Sequence, residues 1–571
     1  MANNQKQKRK AANLPLNDLN NLVKNFAFFI ALLLACSVLA PLHALADVGT
    51  VAYADVMNFS AQCKAANTQS NAQASPYESI KEELQAILQA YYVKPLDSNI
   101  FQNYSMEYIF SNFLDKYTMY FDPETFERFI NTIDQRIYGI GVIVESVKEG
   151  LVIQFVLKDS PADSVGLKVG DIIVSIDGKS IEGISLEEAT AMIKGPEGTR
   201  VAIRIKRDNK YLDYIIVRKK IEMPTVFGAV TGSTGVIGII SFGSNTAKEF
   251  VEVVGMLRNQ GAKNWIIDVR DNSGGYLSSA LDIAGLFTGK SRRILQARDE
   301  RGSYEEYFSE IDSYFKDEPI VLLANENSAS ASEIFAAALK DYNSALLIGN
   351  KTFGKGSIQD LYPLSNGGVL KLTVRYFYSP LGNAINGVGV EPDIKIMPNG
   401  EDIAFKAAQL LFSSNAQDYK SKEGMVKKIT FNGRDYYIDI AKARQHDYRN
   451  AYFALLKEAG VQISLSDFYS DYKVLPGLYN VEEDKKFKVA FTLPVDMDKA
   501  LNSNALELVD AETGERIGMT YSTDDFKEFI LKPQSSLKKG RTYWLIFNKE
   551  IVSKTGWRLV FPAVVEVKAG W

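Results

Sequence analysis

The sequence predicts a multidomain α/β + β protein: a layered α/β core, a helical unit and a short-strand module ahead of it, and a β-sandwich behind it. Three observations carry this. The 571 residues are too many for one hydrophobic core. Strand and helix signals alternate from 224 to 400, the order that layers helices on a mostly parallel sheet. Short β-rich runs broken by turns fill 138–220 and return over 476–571. At 46% hydrophobic and 23% charged residues, the composition is that of a globular chain.

The elements follow in order. Residues 1–46 read as a signal peptide or membrane anchor. Lys6, Lys8, Arg9, Lys10 and Lys24 precede an apolar run over 26–42, and Ala44-Leu45-Ala46 supplies a small-x-small cleavage pattern. A run of about 17 residues is also near the lower limit for a membrane span, so cleavage after Ala46 and a retained anchor both stay open. A lipoprotein anchored at Cys36, in Leu33-Leu34-Ala35-Cys36, is a third form. Every version is exported, extracytoplasmic, and either secreted or held at the cell envelope. Residues 47–75, rich in Ala, Asn, Gln and Ser, read as a linker.

Over 76–130 the period is helical. Tyr77, Ile80, Leu84, Ile87, Leu88 and Tyr91 share one face, and further helical pattern lies at 106–114 and 123–133. From 131 to 220 strands are expected at 142–144, 151–153, 170–178 (ended by the Asp177-Gly178 turn), 201–205 and 214–217. A helix opens at the capping box Ser185-x-x-Glu188. The core, 221–412, places strands at 236–241, 265–269 and 320–324 and helices at 246–260, 276–287 and 331–339. Residues 413–475 are a mixed, charged connection without a motif. Over 476–571 sandwich strands are expected at 487–491, 505–509, 529–531 and 543–547.

Several function classes fall away. The net charge of −4 offers no basic field for nucleic acid. The two histidines are His43, in the N-terminal apolar stretch, and His446, in a polar segment far from any motif. A Ser-His-Asp triad or a His-ligated zinc needs histidine beside the chemistry. Cys36 and Cys63 support neither a disulfide framework nor a cysteine metal site. No metal and no cofactor are expected.

Two segments can carry chemistry. Asn325-Glu-Asn-Ser-Ala-Ser330-Ala-Ser-Glu333 follows a buried-type strand and opens a helix. A hydroxyl there sits beside free helix N–H groups that can hold an oxyanion. Locally, Ser330-x-x-Glu333 fits a plain capping box equally well. The second segment is Lys351-Thr-Phe-Gly-Lys355-Gly-Ser-Ile-Gln359. Gly354 and Gly356 flank Lys355, which a solvated surface lysine does not require.

Resemblances extend this. Ser160-Pro-Ala-Asp-Ser-Val-Gly-Leu-Lys-Val-Gly-Asp-Ile-Ile-Val-Ser-Ile-Asp-Gly178 resembles bacterial PDZ domains, as does Gly195-Pro-Glu-Gly-Thr-Arg-Val201. That implies a PDZ domain over 131–220. Its loop Gly139, Ile140, Gly141 and Val142 would bind a terminal carboxylate through backbone N–H groups, and the tail would add as a strand beside 142–144. The Ser330 and Lys355 segments, at their spacing, resemble the carboxyl-terminal processing (tail-specific) proteases. So do Asp268-Val-Arg-Asp-Asn-Ser-Gly-Gly275, with Ser273 where that family usually has Pro, Gly387-Val-Gly-Val-Glu-Pro-Asp-Ile394, and Leu114-Asp-Lys-Tyr-Thr-Met-Tyr-Phe-Asp-Pro123. This likeness spans 77–412.

It implies a crotonase-like layered core and a serine endopeptidase that cuts proteins near their C-termini. Ser330 would be the nucleophile, Lys355 the base, and Gln359 the residue that orients Lys355. Ala331 with Gly274 or Gly275 would form the oxyanion hole. The PDZ domain would cover the site until a tail binds. Chemistry without histidine is coherent. A free lysine near 10.4 is protonated at neutral pH, and burial disfavours that charged form. The partners implied are proteins or peptides with free, apolar C-termini, and a homodimer is compatible.

Phe491-Thr-Leu-Pro-Val-Asp-Met-Asp498 and Leu537-Lys-Lys-Gly-Arg-Thr-Tyr543 resemble bacterial Ig-like domains and imply an Ig-like β-sandwich over 476–571. Two rival readings remain. A catalytically inactive PDZ scaffold or adaptor at the cell envelope predicts loss of the Ser or the Lys, and both are present. An acyl-CoA enzyme on the same core needs CoA, which export denies it.

Overall fold

A six-stranded sheet organises the chain around the Ser330 segment. The computed structural model describes residues 77–315, 317–396, 402–422 and 424–570. The expected signal or anchor (1–46) and linker (47–75), with His43, Cys36 and Cys63, lie outside the described residues. Strand order in the sheet is Val226–Thr231, Thr234–Ile239, Asn264–Asp268, Ile320–Ala324, Leu346–Gly349, Ile394–Lys395. The first pair is antiparallel and the others parallel.

Alternation sorts these strands between two cores. Trp265, Ile267, Leu322, Ala324 and Leu347 face the helices Thr246–Asn259, Leu277–Thr288 and Ala331–Asp341. Ile266, Val321, Leu323, Leu346 and Ile348 face the helices Ile403–Leu411 and His446–Glu458. With both faces covered, Ile320–Ala324 is buried at every position. The stretch that reads as a mixed connection is therefore a structural layer. Together with a hairpin, Val426–Phe431 against Arg434–Asp439, it covers the back of the core sheet.

The N-terminal segment also differs from a separate helical unit. Helix Pro123–Ile133 starts where expected, with the Asp122 carboxylate accepting from the Thr125 N–H. Just before it, however, Met119–Phe121 forms a strand antiparallel to residues 369–371. The helix Lys81–Tyr91 drives Leu84 and Leu88 into the core shared with the α/β layer. A three-residue strand is too short to show a period of two. It joins a second sheet of Val369–Tyr378, Arg293–Arg298, Tyr304–Phe308 and Ser357–Pro363.

The PDZ-like module has its own core, which includes Ile153, Ile173, Ile203 and Ile216. It enters and leaves through one antiparallel pair, Arg136–Gly139 with Lys219–Glu222. Its helix Leu186–Ile193 is capped by Ser185, whose hydroxyl accepts from the Glu188 N–H. At the other end the Arg218 guanidinium donates to the Met192 and Ile193 carbonyls.

The C-terminal sandwich packs a five-stranded sheet against a three-stranded one around Phe529, Leu506, Leu545 and Val567. The expected strands are present. Two long ones, Lys473–Val481 and Ala563–Ala569, join them and pair in parallel. Arg449 and Glu507 form an ion pair at 2.6 Å between the helical layer and the sandwich, with side chains 2% and 1% exposed.

Candidate active site

Ser330 sits where the chain turns from strand Ile320–Ala324 into helix Ala331–Asp341. The turn is stitched to the neighbouring loop. Ser328 Oγ donates to the Val269 carbonyl at 2.7 Å, Ser332 Oγ to the Asn272 carbonyl at 2.8 Å, and the Ala329 N–H to the same Asn272 oxygen at 3.0 Å. These bonds hold Ser330 at φ 56°, ψ −114°. An ordinary N-cap is extended. Such a left-handed φ at a non-glycine costs on the order of 1–3 kcal/mol and persists only where the surroundings impose it. The capping box with Glu333 is present. The backbone, though, departs from the extended conformation of an ordinary N-cap.

Glu333 does more than cap. It is fully buried at 0% exposure, and its two oxygens accept four hydrogen bonds. Oε2 takes the Ser330 N–H at 2.9 Å and the Lys355 N–H at 2.8 Å. Oε1 takes Thr352 Oγ1 at 2.6 Å and the Gly354 N–H at 2.7 Å. Burial pushes this carboxyl upward and the four donors hold it down. One carboxylate thus fixes the Ser330 turn and the lysine loop in one frame. The sequence signal for this residue was its place three positions after Ser330, which marks only a cap.

The lysine loop shows why it needs its glycines. A Cβ on Gly356 would lie 2.2 Å from the Asn386 nitrogen, and one on Gly354 would lie 3.2 Å from the Val388 and Gly389 nitrogens. The loop is laced to that segment by Gly387 N–H to the Gly354 carbonyl and by Val390 N–H to Thr352 Oγ1. The Gly387-Val-Gly-Val motif is the wall against which the lysine loop is built.

Lys355 keeps some accessible surface as a residue, while its ammonium group is enclosed, 4.9 Å from the centroid of the Tyr117 ring. Burial pushes its pKa down to about 8, against Glu333 and Asp115, with Lys116 adding to the fall. The described contacts join Ser330 and Lys355 through Glu333 rather than by a hydrogen bond of their own. Gln359 lies nearby on the strand Ser357–Pro363. Its amide nitrogen donates to Ser357 Oγ at 2.8 Å and Thr373 Oγ1 at 3.4 Å. Thr373 Oγ1 in turn donates to Asp115 at 3.1 Å. Gln359 therefore belongs to a network beside Lys355, and its described hydrogen bonds go to Ser357 and Thr373.

Gly274 and Gly275 crowd the helix start. A Cβ on Gly274 would lie 2.9 Å from the Ala331 nitrogen, and one on Gly275 would lie 2.3 Å from the Phe242 carbonyl oxygen. The Gly274 N–H donates to Asn272 Oδ1 at 2.8 Å. Among the described residues the Gly275 and Ala331 amides have no acceptor. Of the two glycines, Gly275 is therefore the one whose amide stands free beside that of Ala331. Arg270, from the same motif, pairs with Asp268 and Asp402 at 2.6 Å each and anchors the base of this loop.

The expected tail loop lies at the mouth of the PDZ-like module. Gly139 ends the hinge strand and Val142 begins the next one. Gly141 has φ 86°, and a Cβ there would lie 2.3 Å from Ser160 Cβ. Ile140 points into the module core and forms its floor. The hinge touches the core loop 241–244. Asp134 pairs with Arg136 at 2.8 Å and accepts from the Ser244 N–H at 2.8 Å, and Ser241 Oγ donates to the Ile133 carbonyl at 2.7 Å. Between Ser241 and Ser244, Phe242 bridges to Gly275. Among the described residues no cluster of three or more His, Cys, Asp or Glu could hold a metal ion.

Residues 233–396 match peptidase family S41, 152–207 a PDZ domain, and 475–564 a bacterial Ig-like domain. The chain is similar to two Bacillus subtilis proteins. It is 32% identical to the carboxy-terminal processing protease CtpA over 362 residues, covering 62% of this chain and 77% of that protein. It is 33% identical to CtpB over 357 residues, covering 60% and 74%. Among solved structures, the photosystem II D1 C-terminal processing protease matches with 23% identity and a TM-score of 0.37, over 57% of this chain and 94% of that one.

Proposed function

The chain belongs to the carboxy-terminal processing proteases of peptidase family S41, as a serine-type peptidase with a PDZ insertion and a C-terminal Ig-like domain, and on that premise we propose that Ser330 and Lys355 form its catalytic dyad. The observation that carries this is the Glu333 carboxylate, which accepts from the backbone N–H of both residues.

The neutral Lys355 amine takes the Ser330 hydroxyl proton as Oγ attacks the scissile carbonyl. The tetrahedral oxyanion is met by the Ala331 and Gly275 N–H groups. The Lys355 ammonium then protonates the leaving amine, and the acyl-enzyme remains on Ser330. Lys355, neutral again, takes a proton from the water that attacks the acyl carbon; as the bond to Oγ breaks, the Lys355 ammonium returns that proton to Ser330 and the acid is released. Gln359 supports the site through Ser357 and Thr373.

The substrate is a protein or peptide with a free, apolar C-terminus. Its carboxylate binds the backbone N–H groups of 139–142, and its last residues add as a strand beside Val142–Val147. The hinge contacts of Asp134 and Arg136, next to the Phe242–Gly275 bridge, support a module that both recruits the tail and gates the site. The basic start and apolar run over 26–42 support export, with the chain anchored where that run is retained.

The test uses an unfolded protein with an apolar C-terminus. Wild type cleaves it, whereas Ser330→Ala and Lys355→Ala stay folded and do not. A folded variant of either kind that kept near-full activity would refute the dyad. Amidating the substrate's C-terminus slows cleavage if 139–142 reads the carboxylate. Equal rates on the free and amidated forms would remove that role.

A further inference from the structure

We propose that Lys116 is a positioning residue for the base: its ammonium group, seated over the same aromatic ring as Lys355, opposes a second positive charge there and so favours the free amine of Lys355. This rests on the reading of Lys355 as the base.

The geometry is specific. Lys116 Nζ lies 5.0 Å from the centroid of Tyr117 and 5.3 Å from that of Phe353. Lys355 Nζ lies 4.9 Å from the same Tyr117 ring. Phe353 stands two positions before Lys355 in the lysine loop. One ring and one loop therefore hold both amines, within about 10 Å of each other. The ring of Tyr117 alone would favour an ammonium on Lys355. A cation already over that ring takes up part of the attraction and adds repulsion.

The other groups facing Lys355 act the opposite way. Glu333 reaches it from the helix Ala331–Asp341, and Asp115 from the segment that carries Lys116 and Tyr117. Both carboxylates favour the ammonium, yet both are engaged by donors. Glu333 accepts its four, and Asp115 accepts from the Tyr117 and Thr118 N–H groups and from Thr118 and Thr373 Oγ1. Lys116 makes no ion pair among the described residues, and among the groups acting on Lys355 it is the cation. It is exposed whereas the Lys355 ammonium is enclosed, so the cost of desolvation falls on Lys355.

The experiment is a charge series at one position in the full chain. The rate kcat/KM against pH is measured for wild type, Lys116→Arg, Lys116→Met and Lys116→Glu on one unfolded substrate. Lys116→Arg overlays wild type. Lys116→Met moves the rising limb to higher pH by about 0.3–1 pH unit at low salt, and Lys116→Glu moves it further. A packing defect would lower the rates without ordering the limbs by charge. Limbs that coincide across the series, or that move alike in the Arg and Met variants, overturn the proposal. If wild type shows no limb below the range of free lysine and Lys355→Ala stays active, the base assignment fails first and the role of Lys116 falls with it.

Discussion

Folding makes the proton of Lys355 easier to lose, and this has a thermodynamic consequence. Its pKa falls from 10.5 to about 8 on folding. Below the folded value both states are protonated, and the folded one bears the full penalty of an enclosed ammonium. The penalty shrinks as pH rises from about 8 to 10.5 and is gone above that. Its full size is about 3 kcal/mol. Lys355→Met should therefore be more stable than wild type at pH 7 by up to about 3 kcal/mol, with the gap closing towards pH 10.5. Denaturant titrations of both proteins across that range check it, and a gap that stays constant or widens with pH contradicts it. At this scale the sequence was partly legible. Ser330 and Lys355 stand out because hydroxyl and amine occur in segments whose glycines need a reason. Glu333 was visible only as a cap, because nothing local says that its carboxylate reaches a loop about 20 residues on. Lys116 was silent, since one charged residue in a loop has no period to break.

At the scale of elements, the lysine loop is defined by what it leaves no room for. Gly356→Ala places a methyl against the Asn386 backbone, 2.2 Å from its nitrogen, and the loop has to retreat. A displacement of about 1 Å can cost on the order of a hundredfold in rate. Gly433→Ala, at φ 75° in the hairpin 426–439 with nothing within 4 Å, meets strain alone. The expected result is that Gly356→Ala loses at least about tenfold in kcat/KM, whereas Gly433→Ala loses about 1 kcal/mol of stability and keeps its rate. Equal activities would mean that the lysine loop is not held by its contact with 385–390. Elements with a clear period, such as Pro123–Ile133 and the core strands, were readable from sequence. The strand Met119–Phe121 was not, because three residues carry no alternation. The layer over 413–475 was not, because its apolar residues serve a sheet formed far away in sequence.

Across the whole molecule, the core and sandwich are coupled while the PDZ module stands apart. The back of the core sheet shares one apolar cluster with Phe453, Phe468 and Trp544, and Arg449 crosses to Glu507 within it. Glu507→Ala leaves a buried guanidinium unpaired, at a cost of about 3–5 kcal/mol. Calorimetry should show the transition of the core and sandwich together moving down, with the PDZ transition unmoved. A shift confined to the sandwich would show that the two are independent. The domain order was legible because each change of grammar marks a boundary. The shared core was not, since contacts between modules leave no local pattern.

The most direct test of the account as a whole is covalent labelling with a serine-directed acylating or phosphonylating reagent, read by peptide mass spectrometry across pH. One adduct is expected, on Ser330, formed at a rate that rises through about pH 8 and lost in Lys355→Ala. An adduct elsewhere, or labelling of Ser330 that is undiminished without Lys355, would contradict it.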